Sequence, residues 1–252
     1  ALLISCGGSD DPAPVQPAAS VPNASKSFNR MATFTVCAQT GSSCESNDAT
    51  AAEIVAASQD GMTLVYTNSP KREIGFVDIR NPSTPVALGA LAMGGEPTSV
   101  TVLGTNALVA VNSSTNFVNV AGKLVVVDIA TRAVVAEIAL PGQPDSVARS
   151  KDGKYVAVVI ENERDEALGN GAPPQLPAGS LVIVDVAGNP GTWKTRTVNL
   201  TGIAALYGTD PEPEYVDINE DNIAVVTMQE NNHIALVTWH PARSPGISAL
   251  AA

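Results

Sequence analysis

The chain has 252 residues, a formal net charge of −11 and 44% hydrophobic residues, with aromatic residues at only 4%. This length allows one large domain or two small ones, and Val, Ala, Ile and Leu must build the core. The acidic balance excludes nucleic acids and anionic membrane surfaces as expected partners, because binding to a polyanion requires an excess of Lys and Arg. It is compatible with a cation or a polar ligand, and equally with the ordinary acidity of a soluble secreted protein.

The first six residues, "ALLISC", resemble the end of a bacterial lipoprotein signal, in which an apolar run leads to a small residue and then Cys. In such a signal Cys6 is lipidated, and this lipid would be the only membrane attachment. The alternative is a buried thiol beside a chance apolar run. Residues 7–33 are rich in Gly, Pro, Ser and Ala, which is typical of a flexible tether. We therefore expect a lipid-anchored protein of the bacterial cell envelope, periplasmic or extracellular.

The other two cysteines are Cys37 and Cys44, separated by small polar residues. In an exported protein this spacing predicts a local disulfide that closes a hairpin-like loop. A zinc site is disfavoured, since the spacing does not fit paired ligands and His is scarce.

From here the chain predicts short strands and almost no helix. Runs such as "ALVAVNSS", "KLVVVDIA" and "KYVAVVIEN" are rich in Val and are bounded by Gly, Asn, Asp and Pro. No apolar pattern at helical spacing lasts for three turns. The strands recur in one fixed order with a period of about 45 residues, and this repeat is the strongest signal in the sequence.

Each repeat unit has the same parts. A first strand leads through a tight turn to a second strand, a variable loop leads to a third strand that ends in Val-Asp, and a fourth strand leads to a junction with Pro. The turns are predicted at residues 59–61, 104–106, 151–153 and 220–222, and the junctions at 95–97, 142–144 and 211–213. Such units predict four-stranded β-propeller blades. A β-sandwich is the alternative, but it would not require the same turn chemistry at a fixed phase.

We therefore predict an all-β fold, a β-propeller fragment of about three and a half blades in residues 34–237, because closure takes at least four blades. The fourth unit departs from the repeat after Val237, where "TWHPARSPGISALAA" replaces the expected Val-Asp strand end. Loss of one nucleotide after that codon would explain the change. Residues 238–252 are thus predicted to be non-native or frame-shifted and poorly packed, which the coding DNA tests.

The geometry of a propeller predicts which residues of the repeat lie together on one face. The first strand of each blade lines the central channel, and its start lies on the same face as the end of the second strand. Two long insertions, residues 163–179 and 201–213, open onto this face, and loops often carry function. The candidate ligand-binding or metal-binding residues on this rim are Asp145, Glu161, Glu163, Glu214, Glu230 and Asn231.

Oxygen groups at this density suit a hard cation, which makes Ca²⁺ the candidate cofactor. They also suit a small polar or phosphorylated ligand, or an envelope protein as partner. The plain alternative is that they are turn formers and solvated charges. Glu161 and Glu163 point to one side of a strand and could raise each other's pKa. The sequence has no nucleophile elbow, phosphate loop or zinc-protease motif, so catalytic residues stay unassigned.

Two segments, "QPDSVARSKDGKYVAVVIENERDE" and "DPEPEYVDINEDNIAVVTMQENNHIALV", resemble exported bacterial propeller proteins of the choice-of-anchor I and esterase-like phytase families, some of which carry alkaline-phosphatase labels. The resemblance covers residues 34–237. It implies a YVTN-type, seven-bladed propeller that is secreted or anchored at the surface. The residues that match the family motif directly are Glu214, Glu230, Asn231 and Asn232.

Two functions follow from these observations and the resemblance. The first is a binding module, a lipid-anchored propeller that presents an acidic, polar rim to a ligand or partner. The second is a hydrolase, in which this chain is the N-terminal part of a Ca²⁺-dependent, phytase-like or alkaline phosphatase-like phosphoesterase. The resemblance implies that the phytase-like segment lies downstream, so any phosphoric-ester hydrolysis would belong to the full-length protein.

Overall fold

The computed structural model of the chain describes residues 29–39, 41, 44, 45, 49–238 and 246–250. The predicted signal at residues 1–6, with Cys6, and most of the predicted tether at 7–33 lie outside the described residues. All the helices and strands below belong to one unit, residues 32–252.

The described residues contain one short α-helix, α1 (Val36–Gln39), and sixteen strands in four antiparallel sheets, each with its strands in chain order. The first two sheets are β1 (Val55–Ala57), β2 (Thr63–Asn68), β3 (Glu73–Asp78) and β4 (Val86–Ala92), then β5 (Glu96–Leu103), β6 (Asn106–Asn112), β7 (Gly122–Asp128) and β8 (Ala133–Leu140). The other two are β9 (Pro144–Arg149), β10 (Tyr155–Ile160), β11 (Ser180–Asp185) and β12 (Lys194–Asn199), then β13 (Pro213–Ile218), β14 (Ile223–Met228), β15 (His233–Thr238) and β16 (Gly246–Leu250). This arrangement confirms the predicted all-β class and a β-propeller fragment; we number the sheets as blades 1 to 4.

Apolar packing between neighbouring blades holds the sheets together, and in blades 2 and 3 it covers both faces of the central strands. Along β6, Leu108 and Ala110 pack towards blade 3, whereas Val109 and Val111 pack towards blade 1. Successive side chains of a strand point to opposite faces, so a strand buried on both faces needs an unbroken apolar run. The runs "ALVAV" and "VAVVI" meet this need, and each fully buried Val or Leu contributes about 1.5–3 kcal/mol. A third core joins blades 3 and 4.

The first strands of the blades lie next to one another around a central cavity of about 480 Å³. In each blade the start of the first strand pairs with the end of the second, as Glu96 pairs with Asn112 and Pro144 with Ile160. The register therefore brings these strand ends to one rim, as the propeller geometry predicts.

The tight turn between the first two strands of each blade contains one residue with positive φ. These residues are Gly61 (72°), Gly104 (59°), Gly153 (71°) and Asn222 (59°). Glycine adopts this left-handed conformation without a steric penalty from Cβ, and Asn tolerates it better than most residues. The four turns lie where the repeat predicts them.

Blade 4 has one strand more than the repeat predicts. Strand β16 pairs antiparallel with β15, with Gly246 opposite Thr238 and Leu250 opposite Ile234. Backbone hydrogen bonds alone can add a strand, without the Val-Asp signature on which the repeat prediction depends. The frame-shifted origin of residues 238–252 stays a prediction.

The segment before blade 1 covers part of that blade. Helix α1 lies against β4, and the Gln39 side-chain nitrogen donates hydrogen bonds to the Tyr66 hydroxyl (3.0 Å) and the Gly89 carbonyl oxygen (2.9 Å). Cys37 and Cys44 form a disulfide with their Cα atoms 5.1 Å apart. Cys37 lies in α1, so the disulfide starts from a helical turn and not from the hairpin-like loop that the sequence predicts. The contacts of Gln39 hold this turn against blade 1.

The opposite end of the blade stack is less covered, since Tyr215 and Ile234 of blade 4 are 63% and 43% exposed.

Substitution of Gly142, in the junction before β9, can test how closely the residues beside the rim are packed. A Cβ atom there would lie 2.2 Å from Asn162 Oδ1 and 2.7 Å from Ile160 Cγ2. We expect Gly142→Ala to lower the free energy of unfolding in urea by about 1–3 kcal/mol. In the control Gly191→Ala, the new Cβ would meet nothing closer than 3.5 Å, and a change within about 0.5 kcal/mol is expected. Equal effects of the two substitutions would contradict the close approach at the junction.

Candidate functional site

Nine carboxylates line two cavities at the rim of the channel. We call them the acidic rim: Glu53, Glu96, Asp145, Glu161, Glu163, Glu166, Glu212, Glu214 and Glu230. Glu161 and Glu163 line both cavities, of about 430 and 390 Å³. Asp145 shares the second cavity with them, and Glu214 and Glu230 share the first. The structure thus brings together all five carboxylates that the sequence nominates.

The strand register explains this convergence. Asp145 is the second residue of β9, and Glu161 follows the last residue of β10, which pairs with β9. Blade 4 repeats the arrangement, because Glu214 is the second residue of β13 and Glu230 follows shortly after the end of β14. Carboxylates from two adjacent blades therefore face one another across the blade boundary.

Glu161 is the most perturbed of these carboxylates. Burial raises its pKa, and the negative charges of Asp145, Glu214, Glu163 and Glu212 raise it further, to about 8. At neutral pH this carboxyl group therefore keeps its proton when no cation is present.

Two neighbours show the same effect in weaker form. Burial, followed by the charges of Glu214 and Glu163, raises the pKa of Asp145 to about 6. Burial and the charge of Glu230 raise the pKa of Glu214, while Arg164 opposes that rise. The rim thus holds more negative charge than its surroundings compensate.

Arg164 is the cation that lines this part of the rim. Its Nε lies 2.6 Å from Oε1 of Glu212, whose side chain is only 3% exposed, and its guanidinium is 3.6 Å from Oε1 of Glu230. Burial nevertheless raises the pKa of Glu212 to about 7, because the attraction of Arg164 offsets only part of the desolvation and of the repulsion by other carboxylates.

Asn231 is buried and holds the junction in place. Its Oδ1 accepts a hydrogen bond from the backbone N–H of Glu212 at 2.9 Å, and its amide nitrogen lies 3.1–3.2 Å from the carbonyl oxygens of Leu206, Tyr207 and Asp210. The amide nitrogen is therefore engaged with the backbone, and Oδ1 already accepts one hydrogen bond, although the sequence nominates Asn231 as a ligand. Related contacts recur in other blades, where Asn162 accepts from Gln143 N–H and Asn68 from Ala51 N–H.

The two predicted insertions are joined to each other beside the rim. The backbone N–H of Gln175 donates to Oδ2 of Asp210 at 2.7 Å, and its side-chain nitrogen donates to the carbonyl oxygens of Asp165 and Leu168. Asn170, in a 3-10 turn of the first insertion, lines the same cavity as Glu161. The insertions therefore form one wall of the acidic rim.

The candidate residues that the sequence nominates do not include Glu53, Glu96, Glu166 or Arg164, nor Glu212, although the sequence places its junction on this face. Glu53 has a signal in the sequence, because "EIV" at 53–55 has the same repeat position as "DSV" at 145–147 and "EYV" at 214–216. Its carboxylate accepts a hydrogen bond from the Ser69 hydroxyl. The position of Arg164 had no signal in the sequence, since it depends on the path of an insertion.

No metal centre is preformed at the rim. Among the described residues, no group of three or more His, Cys, Asp or Glu side chains is placed to hold a metal ion. A cation bound here would have to draw rim carboxylates together or reach them through water.

The raised carboxyl pKa values predict how stability depends on pH. A carboxyl whose pKa is higher in the folded state stabilises the fold below its ordinary pKa, and this stability is lost as pH rises through the folded value. With folded values of about 6, 7 and 8 for Asp145, Glu212 and Glu161, Tm should fall steadily from pH 5 to pH 8.5 in the absence of cations. Glu161→Gln should flatten the part of the curve above pH 7. A control in the far turn, Glu220→Gln, should keep the wild-type slope, and a Tm that rises over this range would contradict the arrangement.

The hydrogen bonds of Asn231 predict a second, structural effect. Asn231→Ala leaves two buried backbone groups, the Glu212 N–H and the Asp210 carbonyl oxygen, without this partner and should lower the free energy of unfolding by about 2–4 kcal/mol in urea denaturation. Asn199→Ala is the matched control, since Asn199 is exposed and accepts one local hydrogen bond, from Thr201 N–H; it should cost less than about 1 kcal/mol. A small effect at Asn231 would mean that the junction does not depend on its amide.

Comparison with known proteins extends these findings. The chain is similar to the solved structure of a protein from Lactobacillus plantarum, with 11% identity, a TM-score of 0.58, and coverage of 78% of this chain and 56% of that one. It is also similar to a functionally unknown protein from Desulfotomaculum acetoxidans DSM 771, with 11% identity, a TM-score of 0.54, and coverage of 78% and 54%. Likeness at this identity shows the fold alone. The chain spans little more than half the length of these structures.

No protein of curated function matches the chain in sequence. In the described residues, no helix is long and apolar enough to cross a membrane. The model of the choice-of-anchor I domain matches residues 53–251, which is most of the chain and includes all four blades. A domain of this kind belongs to a surface or secreted bacterial protein. The chain is therefore a β-propeller-like member of the choice-of-anchor I domain family.

Proposed function

We propose that this chain is a cell-surface binding module that takes up Ca²⁺ at the acidic rim. The observation that supports the proposal is the raised pKa of Glu161, which burial and four neighbouring carboxylates bring to about 8. In the empty rim, repulsion between the carboxylates disfavours ionisation of Glu161. A bound cation offsets this repulsion, so Glu161 can lose its proton and the cation is bound favourably.

The chemistry of the donors favours Ca²⁺ among cations. The rim offers carboxylate oxygens, and Ca²⁺ takes six to eight oxygen ligands in flexible geometry, including water. The residues proposed to hold it are Glu161, Glu163, Glu214 and Glu230, which line one cavity, with Asp145 in the cavity beside it. Asn231 acts on this site only by holding Glu212 in its junction.

A small phosphorylated ligand is compatible with the rim only through bound Ca²⁺. Without a cation, its charge would meet the carboxylates of the rim, and Arg164 is already paired with Glu212 and Glu230. Bound Ca²⁺ would bridge the two sets of anionic oxygens. Phosphoester hydrolysis by a longer protein is the second candidate function, and it depends on the same bridge. A polar sugar or an envelope protein would bind at the same rim.

Membrane attachment is the remaining part of the proposal. Lipidation of Cys6, followed by the Gly- and Pro-rich residues 7–33, would tether the propeller at the bacterial cell envelope. A single modification at Cys6 is the only membrane contact that this proposal requires.

Calorimetry can test the proposed site by measuring the number of protons released when Ca²⁺ binds. We expect titration of the full chain with Ca²⁺ at pH 7 to release about one proton per bound ion, since Glu161 must lose its proton to become a ligand. Titrations in PIPES and in imidazole, which differ in ionisation enthalpy, measure this number. Apparent affinity should rise between pH 6 and pH 8. Glu161→Gln should remove most of the proton release, and Glu214→Gln should weaken binding about tenfold.

The control is Glu220→Gln, which removes one carboxylate from the far turn and should leave affinity and proton release unchanged. The proposed site is wrong if Ca²⁺ gives no heat in either buffer. It is also wrong if Glu161→Gln releases protons like the wild type and Glu214→Gln binds Ca²⁺ like the wild type. For the second candidate, an inositol phosphate should bind only in the presence of Ca²⁺; binding that is independent of Ca²⁺ would exclude the bridge.

A further inference from the structure

The face opposite the acidic rim carries an open groove between blades 1 and 2. It has a volume of about 660 Å³, within the usual range for small-molecule sites. Its walls come from the β1–β2 turn and β4 of blade 1, and from the β5–β6 turn and the β7–β8 turn of blade 2. The side chains with apolar surface are Met62, Leu88 and Ile129.

The next blade boundary shows how the chain fills such a groove by itself. Between blades 2 and 3, the connection from β11 to β12 (residues 186–193) forms a 3-10 turn at Pro190–Thr192 that contacts β8. Trp193 follows this turn and packs against the core of blades 2 and 3, together with Ala136 and Ile138 of β8. Between blades 3 and 4, the described residues line a cavity of about 20 Å³ beside Tyr155.

The boundary between blades 1 and 2 lacks this filling because its connection is shorter. Strands β7 and β8 are joined by residues 129–132 alone, and Ala130 lies where the groove opens. Leu88 of β4 packs against the core of blades 1 and 2, as Ile138 of β8 packs against the next core. The indole of Trp193 is thus an internal example of what an equivalent groove accepts, a flat aromatic body.

The charges that line the groove balance in number, Asp60 and Asp78 against Arg80 and Arg132, so a place for a negatively charged group depends on how they are paired. The carboxylate of Asp78 is bonded to the guanidinium of Arg80, and that of Asp60 accepts hydrogen bonds from the Ser58 hydroxyl and from Met62 N–H. Arg132 also lines the groove, and it is exposed. Among the described residues no carboxylate forms an ion pair with its guanidinium, which can therefore pair with an anionic ligand.

We propose that the groove between blades 1 and 2 binds an aromatic molecule that carries an anionic group. The ring system lies on Leu88 and Ile129 in the manner of Trp193 at the next boundary, and the anion pairs with Arg132. This site is separate from the acidic rim and does not depend on Ca²⁺.

The fluorescent probe 8-anilinonaphthalene-1-sulfonate, an aromatic sulfonate, tests the groove in the full chain. We expect saturable binding with one main site, and displacement by indole-3-acetate. Ala130→Trp places an indole in the groove and should abolish that binding. Met62→Glu gives the same test without added bulk, since it puts a negative charge beside the ligand. Circular dichroism and Tm show whether each variant remains folded.

Two controls decide between the groove and other apolar surface. Ile234→Ser alters the exposed face of blade 4 and should leave probe binding unchanged. Arg132→Asn keeps a residue that tolerates the positive φ of 56° at this position. It should weaken indole-3-acetate about two- to fivefold and leave neutral indole unaffected.

The proposal is overturned if no saturable probe binding is found, or if binding survives in both Ala130→Trp and Met62→Glu. Loss of binding in Ile234→Ser would assign the probe to blade 4 instead. An equal effect of Arg132→Asn on indole and indole-3-acetate would refute the anionic part of the ligand.

Discussion

The whole arrangement depends on apolar packing between neighbouring blades. In blades 2 and 3 the central strands are buried on both faces, so their length, direction and register are fixed by two partners at once. A slip of one residue would exchange the two faces and break both cores. Because the register cannot move, the ends of the first and second strands stay together at the rim. The position of Asp145 beside Glu161 is a consequence of that constraint, not of local loop structure.

The packed blades hold the carboxylates of the acidic rim close together, although this arrangement is unfavourable by itself. Rim carboxylates repel one another, and burial adds to the cost of ionising Glu161 and Glu212. The fold tolerates them through protonation, through the ion pair of Arg164 with Glu212, and through the backbone contacts of Asn231. Asparagines that follow the second strands thus stabilise the junctions beside the rim and are not proposed as its ligands. Their amides satisfy junction N–H groups that would otherwise be buried without partners.

The sequence predicts the parts of the molecule that repeat, and it fails where blades differ. Strands, turns and the meeting of Glu161 with Glu214 follow from one periodic pattern and the geometry of a propeller. The signal of Glu53 is weaker than that of Asp145 or Glu214, because the junction before blade 1 lacks the Pro that marks the others. The role of Asn231 depends on which way one amide points, and Asn is as common in exposed turns as in buried ones. Arg164 reaches Glu212 by the path of an insertion that has no counterpart in other blades.

The two proposed sites arise where the loops between strands differ from blade to blade, while the strands themselves repeat. The regular strands also keep the acidic rim and the groove between blades 1 and 2 apart. Strand β2, from Thr63 to Asn68, runs from the groove face to the rim face, a distance of about 17 Å at 3.3 Å per residue. This exceeds the screening length of about 8 Å at physiological ionic strength. Charge changes at the rim should consequently reach the groove only through movement of the blades, which packing on both faces opposes. Binding at the rim and in the groove is thus expected to be independent, and any measured coupling between them would report a shift of one blade against the next.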